Sequence, residues 1–264
     1  MVTFEFDGEK YKAASKHQKE WGNDLISEFS FKGNEAVLDL GCGDGVLTEQ
    51  LALSVPRGTA LGIDSSVHMI ETAKTIHRNN LKFTHLDINK MNFENEFDLI
   101  FSNAALHWVK DHKQLLKNSY KALKACGKIL WDFGGFGNCA NFIDVIQKKI
   151  SEHSYAQYFK AYEWPWFMPS KKQYMDLISA IGFSSYTIKE RNKDRYFSSA
   201  SEMIRWIDQP CLVPFLKQIP QELKESFRQE VIKEMLKRTQ QPDGTYFEAF
   251  RRLRICAQKQ EETR

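Results

Sequence analysis

The residues able to do chemistry sit at the ends of short apolar runs. Val37-Leu38-Asp39-Leu40 runs into Gly41-Cys42-Gly43-Asp44-Gly45, where three glycines alternate with other residues before a helical pattern begins. Glycines there let the backbone turn sharply and approach a ligand, and the following helix offers its free amides. A dinucleotide site would place its third glycine where this chain has Val46, and a phosphate cradle would need Gly-Lys-Ser/Thr, which is absent from the turn. The second run ends in Gly62-Ile63-Asp64, a place from which a carboxylate can accept hydrogen bonds from both hydroxyls of a ribose. The third ends in His85-Leu86-Asp87-Ile88. Asp87 can accept from an adenine amino group while Met69 and Ile88 sandwich the ring. Taken singly, each aspartate reads equally well as a helix cap. Together, at successive strand ends where open α/β sheets bind ligands, they point to a nucleoside site.

The Asp-x-Gly-x-Gly-x-Gly turn, with Asp64 and Asp87 behind it, resembles the cofactor motifs of class I S-adenosylmethionine-dependent methyltransferases across residues 10–135. The resemblance implies S-adenosyl-L-methionine as cofactor and S-adenosyl-L-homocysteine as product. It implies Asp39, Gly41 and Gly43 around the methionine moiety, Asp64 and Ser65 on the ribose, Met69, Asp87 and Ile88 on the adenine, and Asn103 at the amino-acid end. A fourth run, Phe97 to Ser102, leads into Asn103-Ala104-Ala105-Leu106-His107-Trp108, which then lies beside the transferred methyl. This is not the Asn-Pro-Pro-Tyr or Asp-Pro-Pro-Tyr of enzymes that methylate exocyclic base or glutamine amides. His107 has two readings open to it, a general base or a wall of the acceptor pocket, and Trp108 stands next to it.

A narrower resemblance bears on the acceptor. The segments 133–138, 165–170 and 206–216 resemble the trans-aconitate 2-methyltransferase group, and the helix Tyr11 to Leu25, with Tyr11, Ala14 and Gln18 in register, resembles the opening of malonyl carrier-protein O-methyltransferases. Both kinds esterify a free carboxylate. The chain departs from the first at Leu212-Val213-Pro214-Phe215-Leu216, where an arginine before the proline is expected. A carboxylate acceptor needs a cation; Arg191, Arg195 and Arg205 are candidates, and Arg205, between Ile204 and Trp206, is the one selected. Tyr11, Gln18, Trp164 and Trp166 complete the expected acceptor site, with Tyr162 as a further roof residue.

These residues must be carried by a regular scaffold. Strands are predicted at 36–40, 59–63, 81–86, 97–102, 127–131, 183–189 and 247–257, with helices at 10–29, 46–53, 67–77, 111–123, 142–150, 171–181 and two or three within 200–236. Alternation of strands and helices gives an α/β fold, a Rossmann-like seven-stranded, mostly parallel sheet with helices on both faces and an inserted helical and aromatic lid. Residues 1–135 are expected to form the N-terminal helix and cofactor-binding core, 136–170 and 196–240 the lid, and 171–195 with 245–258 the rest of the core.

A formal net charge of +3 over 264 residues argues against a nucleic-acid partner. No apolar run reaches the roughly 18 residues of a membrane span. Five widely spaced cysteines and a polar start suit a reducing cytoplasm, and the chain offers no metal-binding motif. The expected activity is therefore methylation of a small molecule, best matched by a carboxylate oxygen of a trans-aconitate-like acid. The alternatives are a malonyl carrier-protein substrate, another O- or C-methylation, and a module that binds the cofactor without turnover.

Overall fold

The computed structural model describes residues 16–261. Its centre is a sheet of seven strands: β1 (Ala36–Leu40), β2 (Thr59–Asp64), β3 (Leu81–His85), β4 (Phe97–Asn103), β5 (Leu123–Gly134), β6 (Ser185–Asn192) and β9 (Arg251–Gln258). They lie in the order β3-β2-β1-β4-β5-β9-β6, and β9 alone is antiparallel to its neighbours. Consecutive residues of the central strands face opposite cores. Leu38, Ile100 and Ile129 pack with Leu115 and Leu116 of α4 (His112–Ala122) and with Tyr174 and Ile178 of α6 (Lys171–Ser179). Val37, Leu99 and Leu130 pack with Leu25 of α1 (Lys16–Ser27) and Leu51 of α2 (Val46–Ser54). Burial on both faces is why these strands read as unbroken apolar runs. Because the chain builds outward from β1 to β3 and then crosses back to β4, the strand ends part between β1 and β4 and leave a crevice.

A second core lies over that crevice. It combines α5 (Ala140–Ser151), the aromatic stretch through Trp166, α7 (Ala200–Trp206), α8 (Val213–Leu216) and α9 (Lys224–Thr239), with Phe142, Trp206, Phe215 and Phe227 fully or almost fully buried. The two segments read as a lid thus share one interior. Ion pairs tie α5 to α9, with Lys149 to Glu230 at 3.1 Å and Arg238 to Asp144 at 2.6 Å.

Three boundaries differ from the sequence expectation. Helix α3 (Val67–Ala73) stops short of His77, because the hydroxyls of Thr72 and Thr75 bond back to the carbonyls of His68 and Thr72. The helix expected to reach Leu123 ends at Ala122, and the strand expected at 127–131 is longer, β5 running from Leu123 to Gly134. The final strand is two: β8 (Tyr246–Glu248) pairs with β7 (Arg195–Phe197) in a separate ribbon, and β9 joins the main sheet. The break follows from Glu248, fully buried, whose carboxylate accepts the amides of Asn141 and Phe142 at the start of α5 as well as that of Ala249.

Asp132 of β5 binds β9 twice over: Arg252 Nε donates to Oδ1 at 2.6 Å and Arg254 Nε to Oδ2 at 3.0 Å, all three side chains being at most 5% exposed. Removing one partner of a buried pair leaves uncompensated charge and costs about 3–5 kcal/mol. Asp132→Ala is expected to lower the unfolding free energy from urea titration by that amount; a loss no larger than that of a surface substitution would contradict the assignment.

Candidate active site

At the carboxyl ends of β1, β2 and β4 lies a cavity of about 720 Å³. Its inner wall is the glycine turn. The amides of Gly41 and Cys42 both donate to the Ile63 carbonyl, at 2.8 and 3.0 Å, which joins the end of β1 to β2. Gly41 and Gly43 then take left-handed conformations, φ +73° and +55°. A Cβ on Gly41 would meet that of Ala105 at 2.3 Å, so the residue brings the turn hard against the segment after β4. A Cβ on Gly43 would meet nothing within 4 Å; it faces the cavity itself.

Asp64 is held rigidly at this wall, its Oδ2 accepting the Gly43 amide at 3.0 Å and its Oδ1 the Ser66 amide at 2.8 Å. Asp87 is fixed by Asn89, whose main-chain and side-chain nitrogens both donate to Oδ1 at 2.9 and 2.7 Å. Met69 and Ile88, each under 10% exposed, form an apolar slot beside it. Asn103, at the end of β4, donates to the Gln18 carbonyl of α1 at 2.8 Å, and both side chains line the cavity. Ser65, His107 and Trp108 line it too. A carboxylate, a ring slot, a bare glycine backbone and an amide in this sequence suit an adenosyl amino acid.

Other expected residues stand elsewhere. Asp39 does not reach the cavity: it is 2% exposed, and its Oδ2 accepts the Thr48 hydroxyl of α2 at 2.7 Å. Trp164 and Trp166 pack on Phe215 in the second core, with ring centres 5.6 and 5.8 Å away, and neither lines the cavity. Their apolar area is spent on holding the lid together. Arg205 is exposed on α7, away from the lining residues. Arg191 and Arg195 are engaged by Glu28 and Glu202. Tyr11 lies outside the described residues.

The outer half of the cavity is lined instead by Lys110, Tyr162, Glu163, Pro165 and Gln218. Lys110 follows the Leu106–Trp108 turn, and burial lowers its pKa while nearby Glu163 works the other way. It is the one cation among the described lining residues. Helical periodicity does not single out Lys110; only its closeness in sequence to His107 could have pointed to it. His107 is pushed down to about 3, first by burial and then by the positive charge of Arg252 and by His112, so its imidazole is neutral. Among the described residues there is no cluster of three metal-ligating side chains.

The profile of a family described as a methyltransferase domain matches residues 31–187, more than half the chain and all of the inner wall. The chain belongs to the class I S-adenosylmethionine-dependent methyltransferases. It is an enzyme of the small-molecule branch of that family and uses S-adenosylmethionine as its methyl donor. An uncharacterized methyltransferase of Schizosaccharomyces pombe is 28% identical over 90% of this chain and 91% of its own length. Trans-aconitate 2-methyltransferase of Deinococcus radiodurans is 30% identical over 69% of this chain and 71% of its own. Among solved structures, phosphoethanolamine N-methyltransferase 2 of Haemonchus contortus, in complex with S-adenosyl-L-methionine, superposes with a TM-score of 0.62 at 18% identity, covering 96% of this chain and 57% of that one. That likeness establishes the fold.

Two predictions follow from the inner wall. Gly43→Val fills the open space and strains a left-handed residue by about 1–3 kcal/mol; titration calorimetry should show S-adenosylhomocysteine binding abolished while the far-ultraviolet circular dichroism stays native. Asp39 is raised to about 7, chiefly by burial, with the Thr48 hydrogen bond opposing and the Asp64 charge adding. Since its folded value lies above its unfolded one, it favours the fold while protonated, and that contribution is lost as pH rises through 7. Asp39→Asn should therefore flatten the fall in melting temperature between about pH 4 and about pH 7, the ordinary and the raised value; an unchanged slope would place the titration elsewhere.

Proposed function

We propose that this enzyme methylates a carboxylate oxygen of a small organic acid of the trans-aconitate kind. The observation that carries this reading is the neutral His107 at the outer end of the cavity. An imidazole whose conjugate acid has a pKa of about 3 is a poor acceptor for a proton from a hydroxyl or an activated carbon, whereas a carboxylate is already ionised at neutral pH. His107 then acts as wall and orienting group rather than as base.

Bound at the inner wall, S-adenosylmethionine supplies an electrophilic methyl group on a positively charged sulfur. Gly41, Gly43, Asp64, Ser65, Met69, Asp87, Ile88 and Asn103 are the residues we assign to holding it, and Asp39 acts behind them through Thr48. The chain's remaining work is alignment and exclusion of water. Trp108, Tyr162 and Pro165 roof the outer half, Gln18 and Gln218 offer amides to the acceptor, and the Lys110 ammonium attracts its negative charge. The kinship with trans-aconitate 2-methyltransferase supports the same class of acceptor. We read residues 16–135, with 171–195 and 245–258, as one core and 136–170 with 196–240 as its lid. Five free cysteines and no described helix long and apolar enough to cross a membrane agree with a cytoplasmic enzyme.

The test is release of S-adenosylhomocysteine against a panel of small di- and tricarboxylic acids, hydroxylated compounds and acyl carrier-protein thioesters. An acid should turn over, with a rate that is flat from about pH 6 to 8 because no base of ordinary histidine pKa takes part. Lys110→Glu should raise the acceptor KM by about tenfold or more, the equivalent of a lost charge-assisted contact, and leave cofactor affinity unchanged. Turnover confined to hydroxyl compounds, with a limb near pH 6.5, would sink the carboxylate reading. Cofactor binding with no turnover on any acceptor would favour a binding module.

A further inference from the structure

His112 is buried at the first turn of α4, 2% exposed, and is not among the residues that line the cavity. Its two ring nitrogens are nevertheless both engaged. Nε2 lies 2.9 Å from the Leu106 carbonyl and Nδ1 3.1 Å from the Tyr174 hydroxyl of α6. A carbonyl can only accept, so Nε2 carries the proton, Nδ1 is the acceptor, and Tyr174 donates. Burial holds the ring down to about 4, which keeps this neutral tautomer throughout the physiological range. The imidazole is therefore a rigid link of fixed polarity between α6 and the carbonyl that opens the Leu106–Trp108 turn.

The same ring meets the lid. Its centre is 4.7 Å from that of Phe167, at an interplanar angle of 49°. The amide of Phe167 in turn donates to the carbonyl of His107 at 2.8 Å. Two consecutive carbonyls of the turn are thus pinned from different directions, Leu106 by the side chain of His112 and His107 by the lid backbone that His112 packs beneath. Trp108 adds a third contact, its ring centre 5.6 Å from that of Trp166. Phe167 lies in the stretch that carries Tyr162, Glu163 and Pro165 to the cavity, so the position of this stretch and that of the acceptor wall are mechanically one variable.

We propose that His112 is a positioning residue for methyl transfer: by holding the Leu106 carbonyl and the Phe167 ring at once, it sets the acceptor wall and the lid stretch 162–167 in register. The proposal rests on the reading of the outer cavity as the acceptor site. It assigns His112 no contact with substrate and no proton transfer. Misplacing reacting groups by about 1 Å costs on the order of 10²-fold in rate, which is the size of effect a loosened turn should produce.

The experiment compares the wild-type chain with His112→Ala, His112→Gln and, as a destabilised control remote from the turn, Ile188→Ala on β6. Three quantities are read: S-adenosylhomocysteine affinity by calorimetry, kcat and KM on the acid that turns over, and hydrogen exchange of the Phe167 amide. His112→Ala is expected to lose about 10²-fold in kcat/KM with unchanged affinity for S-adenosylhomocysteine and faster exchange at Phe167. His112→Gln, whose side-chain amide can still donate to Leu106, should recover most of both. Ile188→Ala should lower the melting temperature without moving either. The proposal is overturned if His112→Ala merely melts earlier, with kinetics and Phe167 exchange as in the wild type, or if glutamine rescues nothing. Should no acid turn over on the wild-type chain, the carboxylate reading fails, while Phe167 exchange and the ring tautomer from nitrogen NMR still decide the linkage.

Discussion

The site is built outward from a single acceptor atom. The carbonyl of Ile63 takes the amides of both Gly41 and Cys42, and in doing so fixes where β1 ends relative to β2. From there the backbone continues left-handed at 41 and 43, where glycine stands, and the Gly43 amide comes to face Asp64. Asp64, locked by that amide and by Ser66, presents a carboxylate that has lost its freedom before any ligand arrives. Preorganisation of this kind lowers the entropic cost of binding. A donor pair, a turn and a carboxylate are thus one device.

Behind the opposite wall stands a concentration of buried charge. Arg252 and Arg254 share Asp132, Arg254 also meets Glu28, and the Arg252 guanidinium lies 5.0 Å from the Trp21 ring. Arg252 donates to the side-chain Oδ1 of Asn103 at 3.5 Å, and so connects this cluster to the cavity. Its positive charge also bears on His107 and on His17, which burial, Arg195 and Arg252 push down to about 3. Neutral imidazoles follow first from their burial and then from repulsion by the nearby cation. The low pKa of His107 is therefore a property of the scaffold as much as of the residue itself.

How much of this could be read from the residues varied with the range of the interaction. The central strands and the glycine turn were legible because their signals are local: unbroken apolar runs buried on both faces, and alternating glycines at the end of one of them. Asp64 and Asp87 were legible because strand ends can be located from those runs. Asp39 carries the same motif, yet alternation along β1 turns its side chain away toward α2, and a motif alone does not encode facing. Trp164 and Trp166 stand in the lid interior because contacts with Phe215, far along the chain, place them, and Arg205 is exposed on α7; neither placement is a local signal. Nothing in the residues separates Lys110 from the many other lysines, and the division of the last strand at Ala249 depends on Glu248 finding the start of α5.

The one reversed strand, β9, carries a consequence for how the molecule comes into being. Asp132 is separated from Arg252 by 120 residues. During synthesis, which proceeds from the N-terminus, the parallel strands and the glycine turn emerge long before the arginines that neutralise Asp132. Until then the centre of the sheet holds an unmatched carboxylate and an open edge on β5, both of which favour partly formed, association-prone species. Insertion of β9 between β5 and β6 closes that edge, cancels the charge and brings Arg252 behind Asn103 in one event. The charged support behind Asn103 is therefore completed only once β9 has been made, long after the glycine turn and Asp64 have met.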